Sequence, residues 1–160
     1  MDALTSVRNK GAFSEYLAEL QGRLEREGLT DFAIGVFDCD GLKQINDRYG
    51  HDRGDEYLKA ATALICQTFR HSPVFRIGGD EFAAVLLNED FENRAALLAE
   101  FEARMAASAA TASNEWERVR VSAGVAVWNP QFDNEVSDTL RHADEAMYAN
   151  KRARKAERAG

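Results

Sequence analysis

Two short apolar runs on either side of a glycine-containing turn constrain the fold of this chain more than any other feature. The runs, Val74 to Ile77 and Phe82 to Leu87, enclose the sequence Gly-Gly-Asp-Glu at 78–81. This pattern indicates a β-hairpin. Gly78 and Gly79 tolerate positive φ and leave the backbone bare, so we expect a tight turn that a ligand can approach closely. A glycine turn followed by acids is often only a solvated hairpin, so the turn alone leaves its role open.

The apolar spacing in the rest of the chain predicts the other elements. Residues that recur with the helical period mark helices, and short continuous apolar runs mark strands. The predicted elements are an N-terminal helix carrying Phe13, Leu17, Leu20 and Leu24, a strand at Phe32 to Phe37, helices at Leu42 to Arg48 and Asp55 to Phe69, the hairpin, a helix carrying Leu97, Phe101 and Met105, a strand at Val119 to Trp128, and a final helix carrying Val136, Leu140, Ala143 and Met147.

The order of these elements is β-α-β-β-α-β with additional helices. It is the order of the split βαβ, or ferredoxin-like, arrangement, so we expect an α+β fold whose antiparallel-rich sheet carries its helices on one face. The Phe32 to Phe37 run is nearly all apolar, which is typical of a strand covered on both faces, so this strand should be central. A chain of 160 residues is long enough for one sizeable core, and residues 1–160 are predicted to form a single domain.

Composition excludes several classes of protein. The chain is 45% hydrophobic and 29% charged, as in soluble globular proteins, and no apolar run approaches the roughly 20 residues that span a bilayer. The net charge of −7 argues against a nucleic-acid partner, because duplex binders concentrate positive charge. The N-terminus lacks a signal-peptide core, and Cys39 and Cys66 lack CxxC spacing. We therefore expect reduced thiols, a cytoplasmic location and no membrane contact by this domain.

A second group of acids follows the predicted central strand. Asp38 and Asp40 are two residues apart at the end of this strand, so both can point to the same side. A buried carboxylate costs free energy unless it is paired or binds a metal. If the central strand and the hairpin are neighbours, these acids and those of the turn form a hard-oxygen site, which suits Mg²⁺ rather than zinc.

A magnesium site in turn suggests a triphosphate ligand. Lys43 is placed to neutralise phosphate, and the N–H groups around Gly41 and Leu42 open a predicted helix, which is a natural anion site. Asn46 and Asp55 can hydrogen-bond a base edge, but spacing alone leaves a surface or capping role equally open. The chain has no GxxxxGK[ST] sequence, so it is not a P-loop protein.

Taken together, these motifs resemble the GGDEF family of diguanylate cyclases. The signature stands complete within RIGGDEF at 76–82, and DCDGLKQINDRYGHDRGD at 38–55 resembles the second motif of the family. DALTSVRNKGAF at 2–13, VSAGVAV at 121–127 and HADEAMYANK at 142–151 resemble its opening, its late strand and its last helix. The resemblance implies condensation of two GTP molecules into cyclic di-GMP with release of two pyrophosphates. It also implies a sheet related to that of nucleotidyl cyclases.

The resemblance further implies a metal site and catalytic residues. Asp38 and Asp80 resemble the metal-binding acids of the family, and the main-chain carbonyl of Cys39 resembles a third ligand to Mg²⁺, or to Mn²⁺ in its place. Glu81 resembles the second acid of the signature, which helps to deprotonate or orient the attacking 3′-hydroxyl. The expected catalytic residues are Asp38, Asp80, Glu81 and Lys43.

Substrate contacts follow from the same resemblance. Asn46 and Asp55 resemble the pair that hydrogen-bonds guanine, and Leu58 resembles the residue that packs near the base. The carboxylate of Asp55 matches N1–H and N2–H₂ of guanine and would face the wrong edge of adenine, which favours GTP over ATP. Lys43, Lys151 and Lys155 resemble the phosphate-contacting set, and Gly41, Leu42, Gly78 and Gly79 are the expected main-chain contacts.

The resemblance also carries expectations about assembly. In the family each domain binds one GTP, so an antiparallel homodimer is expected to be required for turnover. Two alternatives remain open, namely a catalytically silent module that binds GTP and a purely structural interaction domain. Because the chain begins almost at the first family motif, we expect it to be a catalytic module from a longer regulator.

Three positions depart from the family pattern. Gly41 stands where the family often has Phe, Lys155 stands where it often has Arg, and the third departure is the most consequential. The product-inhibition motif RxxD normally lies a few residues before GGDEF, but the corresponding segment here, at 70–73, reads Arg-His-Ser-Pro. The acid is replaced by proline. We therefore expect no feedback by cyclic di-GMP through that site.

Overall fold

The computed structural model describes the backbone of residues 1–159 and the side chains of residues 1–157. The helices and strands follow one another in the predicted order, with two short helices added. The elements are α1 (Lys10–Glu27), β1 (Ala33–Cys39), α2 (Leu42–Tyr49), α3 (His51–Thr68), β2 (Val74–Arg76), β3 (Glu81–Leu86), α4 (Asn88–Glu92), α5 (Arg94–Thr111), a 3-10 helix (Glu115–Glu117), β4 (Val121–Val127) and α6 (Val136–Ala159).

The four strands form one antiparallel sheet in the order β2-β3-β1-β4, which confirms the predicted α+β class. β1 is an interior strand and all seven of its residues are buried, as its apolar run predicts. The central strand and the hairpin are neighbours, because β1 pairs with β3. In this register Asp38 lies opposite Glu81 on one side and Ser122 on the other. The pairing brings the two acidic groups of the sequence to the same end of the sheet.

Helices cover both faces of the sheet, so the expectation that they share one face was wrong. On one face Phe37 packs with Ile65 of α3 and Phe101 of α5 in a single core cluster. On the other face Val36 belongs to a cluster that contains Leu20 of α1 and Met147 of α6. Because successive residues of β1 point to opposite faces and are apolar on both, each face needs its own helical layer.

A close contact between α6 and β4 positions the last helix. A Cβ on Gly124 would lie 2.2 Å from the backbone nitrogen of Met147 and 2.5 Å from the carbonyl oxygen of Ala143, so only glycine allows this approach. One turn further on, the side chain of Asn150 accepts a hydrogen bond from the N–H of Ala123 at 2.9 Å. These contacts hold the segment of α6 that carries Lys151 against the sheet.

A few boundaries differ from the predictions. α3 begins at His51, four residues before the predicted Asp55, because Gly54 lies inside the helix instead of before it. The two short helices were not predicted. Cys39 is buried, Cys66 is half-buried, and both are free thiols, as expected. Among the described helices, none has the length and apolar character needed to cross a bilayer.

Candidate active site

The carboxylate of Asp38 lies at the end of β1, with only 5% of the residue exposed. Its Oδ2 accepts a hydrogen bond from Lys151 Nζ at 2.8 Å. Its Oδ1 is buried and has no hydrogen-bond partner among the described residues. Burial lowers the pKa of Lys151, but the neighbouring Asp38 outweighs this effect and raises it, so the ammonium stays charged. One oxygen of Asp38 therefore has an unused coordination position in a site that already attracts a cation.

Asp80 and Glu81 stand beside Asp38. The carbonyl oxygen of Asp80 accepts a hydrogen bond from the N–H of Cys39 at 2.8 Å, which ties the hairpin turn to the end of β1. Burial, followed by the negative charge of Asp38, raises the pKa of the Asp80 carboxyl. The pKa of Glu81 is raised by the same two causes in the same order, with further contributions from Asp144 and Asp80. Several carboxylates thus share one partly desolvated region.

The hairpin turn is held by backbone contacts and by one arginine. The N–H groups of Ile77 and Gly78 both donate to the carbonyl oxygen of Glu81, at 2.9 and 3.2 Å. Arg76 donates to the carbonyl oxygens of Gly78 and Gly79 at 3.3 and 2.7 Å. Neither glycine has a positive φ, so the turn forms without that conformation. Apart from its two chain neighbours, no atom of the described residues comes within 4 Å of the Cβ position at Gly79, so the space beside its backbone is open to a ligand.

Asp40 lies near Asp38 but is engaged in a different network. Its carboxylate accepts from the hydroxyl of Ser122 at 2.9 and 3.0 Å, and the residue is only 3% exposed. The hydroxyl oxygen of Tyr57 lies 2.7 Å from the carbonyl oxygens of both Asp40 and Arg120. This network joins the ends of β1 and β4 to α3, so we assign Asp40 a structural role.

A cavity of about 710 Å³ opens next to these carboxylates. Its lining carries four cationic side chains from three regions of the chain, namely α2, the residue before β4, and α6. Among the predicted site residues, it brings together Cys39, Gly41, Leu42, Lys43, Asp80, Lys151 and Lys155. The lining also includes Asp40, Gln44, Asp47 and Arg120. Asp40 was noted in the sequence, whereas no role was predicted for Gln44, Asp47 or Arg120.

The floor of this cavity includes the start of α2. Gly41 precedes the helix with φ of 76°, a conformation that favours glycine, and no described side chain caps the helix. The first N–H groups of a helix lack intrahelical acceptors and attract anions. Lys43 is 92% exposed and is paired with Asp47 at 3.7 Å. The end of the cavity at α2 is therefore suited to an anion with several oxygens.

The predicted base contacts lie outside the lining of this cavity. Asn46 and Asp55 are both half-buried, on α2 and α3. A Cβ on Gly54 would lie 1.7 Å from Asn46 Oδ1, so the side chain of Asn46 occupies the space that glycine leaves. Leu58 is only 3% exposed and belongs to the core, which leaves little of its surface for a base.

The donor set can be compared with the needs of a divalent cation. No group of three or more His, Cys, Asp and Glu side chains is arranged to hold a metal within the described residues. The predicted ligand set does not need one, since it consists of two carboxylates and a main-chain carbonyl. The unpartnered Oδ1 of Asp38 and the nearby Asp80 are hard oxygen donors, which fit Mg²⁺ or Mn²⁺. The residues present fit such an ion.

An antiparallel βαββαβ sheet with carboxylates at the end of β1 and on the β2–β3 turn defines the class of nucleotidyl-cyclase-like domains. The model of the family described as "Diguanylate cyclase, GGDEF domain" matches residues 1–157, and the chain belongs to this family.

Curated relatives and solved structures agree with this assignment. The chain is 33% identical over 154 residues to the diguanylate cyclase DgcP of Pseudomonas aeruginosa, covering 95% of this chain and 22% of DgcP. It is 34% identical over 155 residues to the diguanylate cyclase DosC of Escherichia coli K12, covering 95% of this chain and 33% of DosC. The chain thus spans a third or less of the length of these relatives.

Among solved structures, the chain is similar to the GGDEF domain of DgcB from Caulobacter crescentus, which was crystallised with c-di-GMP. The TM-score is 0.81 and the identity 27%, with 96% of this chain and 88% of the DgcB chain covered. The active GGEEF domain of a diguanylate cyclase from Vibrio cholerae is similar with a TM-score of 0.74 and 28% identity, over 92% of each chain.

Proposed function

We propose that this domain is a diguanylate cyclase that condenses two GTP molecules into cyclic di-GMP and two pyrophosphates. One observation carries the proposal: Asp38, Asp80 and Glu81 meet at the edge of a cavity whose lining supplies four cationic side chains. Carboxylates for a metal and cations for a polyphosphate thus adjoin each other. Membership of the family and similarity to named diguanylate cyclases support the same activity.

The proposed metal is Mg²⁺, with Mn²⁺ as a substitute, held by Asp38, Asp80 and the main-chain carbonyl of Cys39. When bound, such an ion neutralises charge on the phosphoryl oxygens and stabilises the attacking and departing oxygens. The unpartnered Oδ1 of Asp38 supports this assignment. The thiol of Cys39 takes no part, because burial raises its pKa and keeps it protonated.

The protein positions the nucleotide from both ends. Asn46 and Asp55, both half-buried, hydrogen-bond guanine, and Leu58, which is buried on α3, packs near the base. Lys43, Lys151 and Lys155 hold the phosphates together with the N–H groups of Gly41 and Leu42. Gly78 and Gly79 are the proposed main-chain contacts to the substrate, and among the described residues other than its two chain neighbours no atom lies within 4 Å of the Cβ position at Gly79.

Glu81 is the proposed proton acceptor. A carboxylate with a raised pKa is a stronger base than one with an ordinary pKa, and burial, followed by the negative charge of Asp38, raises the pKa of Glu81. In each half-reaction the 3′-hydroxyl proton passes to Glu81, a bond forms between the 3′-oxygen and the α-phosphorus, and the bond from that phosphorus to pyrophosphate breaks. The cationic side chains offset the charge that develops on the leaving pyrophosphate.

Ring closure requires this step twice, with each nucleotide acting once as nucleophile and once as electrophile. We propose that two domains meet as an antiparallel homodimer, each holding one GTP, and that positioning supplies much of the catalysis. The proposed location is cytoplasmic, since GTP is an intracellular nucleotide and Cys39 and Cys66 are free thiols.

The test is turnover of GTP with Mg²⁺, followed by chromatography of the products over a range of protein concentrations. We expect cyclic di-GMP, formed at a rate that rises faster than linearly with protein concentration. Asp80→Asn should abolish turnover and leave the thermal unfolding midpoint unchanged. Asp31→Asn, at an exposed position before β1, is the matched control and should keep full activity. Turnover that survives in Asp80→Asn contradicts the metal assignment, and GTP binding without product indicates a silent binding module instead.

A further inference from the structure

Arg120 immediately precedes β4, and its backbone is held in place on both sides. Its carbonyl oxygen accepts a hydrogen bond from the N–H of Asp40 at 2.7 Å. Its own N–H donates to the hydroxyl oxygen of Tyr57 at 3.2 Å. Tyr57 is fully buried, so this anchor belongs to the core. The guanidinium group therefore extends from a rigid point into the lining of the cavity described above.

The guanidinium group has donors that no acceptor in the described part of the chain uses. Nε and Nη2 are buried and neither has a hydrogen-bond partner among the described residues. The paired carboxylate, Glu115, lies 3.8 Å from Nη2, which is too far for a hydrogen bond. Glu115 already accepts from Tyr49 at 2.7 Å and from Arg48 at 3.3 Å. Buried N–H groups without acceptors are costly, so an acceptor from outside the chain is expected at this position.

The same donors lie against the start of α2. A Cβ on Gly41 would be 3.5 Å from Nη2 of Arg120, so the guanidinium and the uncapped N–H groups of the helix border one space. A planar guanidinium donates two parallel hydrogen bonds to adjacent phosphate oxygens, which an ammonium cannot do. Two kinds of donor thus converge on a ligand that carries several anionic oxygens.

Charge alone does not single out Arg120 among the cations of the cavity. Lys43 is paired with Asp47 at 3.7 Å, and Arg120 is paired with Glu115 at 3.8 Å. What distinguishes Arg120 is that its Nε and Nη2 have no hydrogen-bond partner among the described residues. An incoming polyphosphate can therefore accept hydrogen bonds from these donors without displacing a protein acceptor.

We propose that Arg120 is a further polyphosphate-binding residue, which holds the β- and γ-phosphates of GTP against the start of α2. The identity of the nucleotide rests on the proposed function, whereas the polyphosphate chemistry rests on the geometry of Arg120 itself. The unfilled donors of Arg120 bind the part of the substrate that leaves as pyrophosphate. Arg120 thereby stabilises the leaving group as charge develops on it.

The experiment measures binding by titration calorimetry with three probes in the presence of Mg²⁺. The probes are a GTP analogue with a methylene bridge between the α- and β-phosphorus, inorganic pyrophosphate, and GMP. Arg120→Met removes the charge and keeps a side chain of similar length. Because one charge-assisted bidentate contact is lost, we expect the affinities for the analogue and for pyrophosphate to fall about 10- to 100-fold. The affinity for GMP, which lacks these phosphates, should change less than about twofold, and Arg120→Lys should be intermediate.

Glu115→Gln separates this role from a purely structural one. If Arg120 served only as a partner of Glu115, both substitutions would weaken the site alike. We expect Glu115→Gln to bind the analogue and pyrophosphate at least as tightly as the unaltered protein, because it removes a competing negative charge. Thermal unfolding of both variants should show that the fold is retained.

The outcomes distinguish this inference from the proposed function. Unchanged affinities for the analogue and pyrophosphate in Arg120→Met, or an equal loss for GMP, overturn the role of Arg120 and leave the proposed function standing. Pyrophosphate binding that depends on Arg120, without binding of guanine nucleotides, supports the inference and refutes the proposed function. A protein that binds none of the three probes refutes both.

Discussion

The side chain of Asn46 occupies space that is free only because residue 54, on the neighbouring helix α3, is glycine. α2 and α3 come so close that a Cβ on Gly54 would meet Asn46 Oδ1 at 1.7 Å and Asn46 Cγ at 2.8 Å. The obstructing atoms belong to a side chain, so a methyl group at residue 54 would displace the amide without separating the helices. Gly54 therefore acts as a positioning residue for the proposed guanine contact.

We expect Gly54→Ala to weaken binding of the methylene-bridged GTP analogue about tenfold, because one hydrogen bond from Asn46 to guanine is lost. The affinity for pyrophosphate, which has no base, should stay unchanged. The fold should persist, because alanine favours a helix over glycine by up to about 1 kcal/mol and offsets the local clash. Gly22→Ala in α1 is the matched control, since the three atoms nearest to its Cβ position all belong to the flexible end of Arg26. It should stabilise the protein slightly and leave the analogue affinity unaltered. Equal analogue affinity in Gly54→Ala and the unaltered protein would contradict this role.

The sequence singles out Asn46 and Asp55 because both belong to a recognisable motif. It does not single out Arg120, whose importance comes from pairing between β1 and β4, which brings it next to Gly41. A single basic residue before a strand carries no periodic signal. The unfilled donors and their distance from α2 exist only in three dimensions, and for that reason sequence reasoning missed this residue.

The position of α6 determines which cation contacts the Asp38 carboxylate at the end of β1. Gly124 allows α6 to approach β4, and Lys151 then reaches Asp38 Oδ2 at 2.8 Å. An ammonium group at this oxygen occupies the surroundings that a divalent cation needs. The proposed metal site at Asp38 therefore predicts competition between the metal ion and Lys151, in which the displaced ammonium would be available to bind phosphate.

Lys151→Met should raise the affinity for Mn²⁺ in the absence of nucleotide by about two- to fivefold, the range expected for loss of one partly exposed ion pair. The same substitution should lower the affinity for the GTP analogue. Electron paramagnetic resonance of free Mn²⁺ measures the first effect and calorimetry the second. Lys155→Met is the control, one turn further along the same cavity. It should weaken analogue binding and leave Mn²⁺ affinity as it is. A fall in Mn²⁺ affinity in Lys151→Met would refute the competition.

A second link between elements connects the N-terminal segment to the hairpin. Asp2 accepts hydrogen bonds from the hydroxyl of Thr5 at 2.6 Å and from Arg76 Nη1 at 3.2 Å, while Arg76 also binds the turn. Burial would raise the pKa of Asp2, but the hydrogen bonds from Thr5 and Arg76 outweigh it and lower the pKa below 3.8. The ionised carboxylate therefore stabilises the folded state.

The pH dependence follows from the sign of this shift. Stability from Asp2 is fully present above pH 3.8, the unfolded value, and is lost as the pH falls through the lower folded pKa. Asp2→Asn should reduce the free energy of unfolding at pH 7 by about 1 kcal/mol, and this difference should shrink as the pH approaches 3. Denaturant titrations at both pH values measure it, with Asp31→Asn as a control. A difference that grows on acidification would show that Asp2 is not stabilising as an anion.

Sequence patterns predicted the long elements well and the short ones poorly. The hairpin and the buried central strand carry strong apolar runs, and both are observed. α4 and the 3-10 helix are too short to show a helical period of apolar residues, so the sequence pattern does not predict them. Val36 and Phe37 are apolar on opposite sides of β1 and belong to different core clusters, so the sequence of β1 itself indicates helices on both faces. The order of elements does not, because the same order is compatible with helices on one face.

In the proposed reaction, one domain binds one of the two GTP molecules and catalyses the formation of one of the two phosphodiester bonds. Asp38 and Asp80 lie together at one end of the sheet, and the predicted substrate contacts lie on the elements that adjoin this end, namely α2, α3, the hairpin and α6. Two phosphodiester bonds must form to close the ring. Each domain of the proposed dimer activates the α-phosphate of its own GTP and offers its 3′-hydroxyl to the partner.

Mixing the unaltered protein with Asp80→Asn tests whether each domain activates only its own GTP. Asp80→Asn lacks a metal ligand but keeps Asn46 and Asp55, so it should still bind GTP and present a 3′-hydroxyl. In a mixed dimer only the intact domain activates an α-phosphate. One bond then forms, one pyrophosphate leaves, and the product is the linear dinucleotide that retains a 5′-triphosphate. With Asp80→Asn in large excess, chromatography should therefore show this linear product at the expense of cyclic di-GMP. If cyclic di-GMP remains the sole product under these conditions, a single domain performs both steps and the proposed dimer mechanism is wrong.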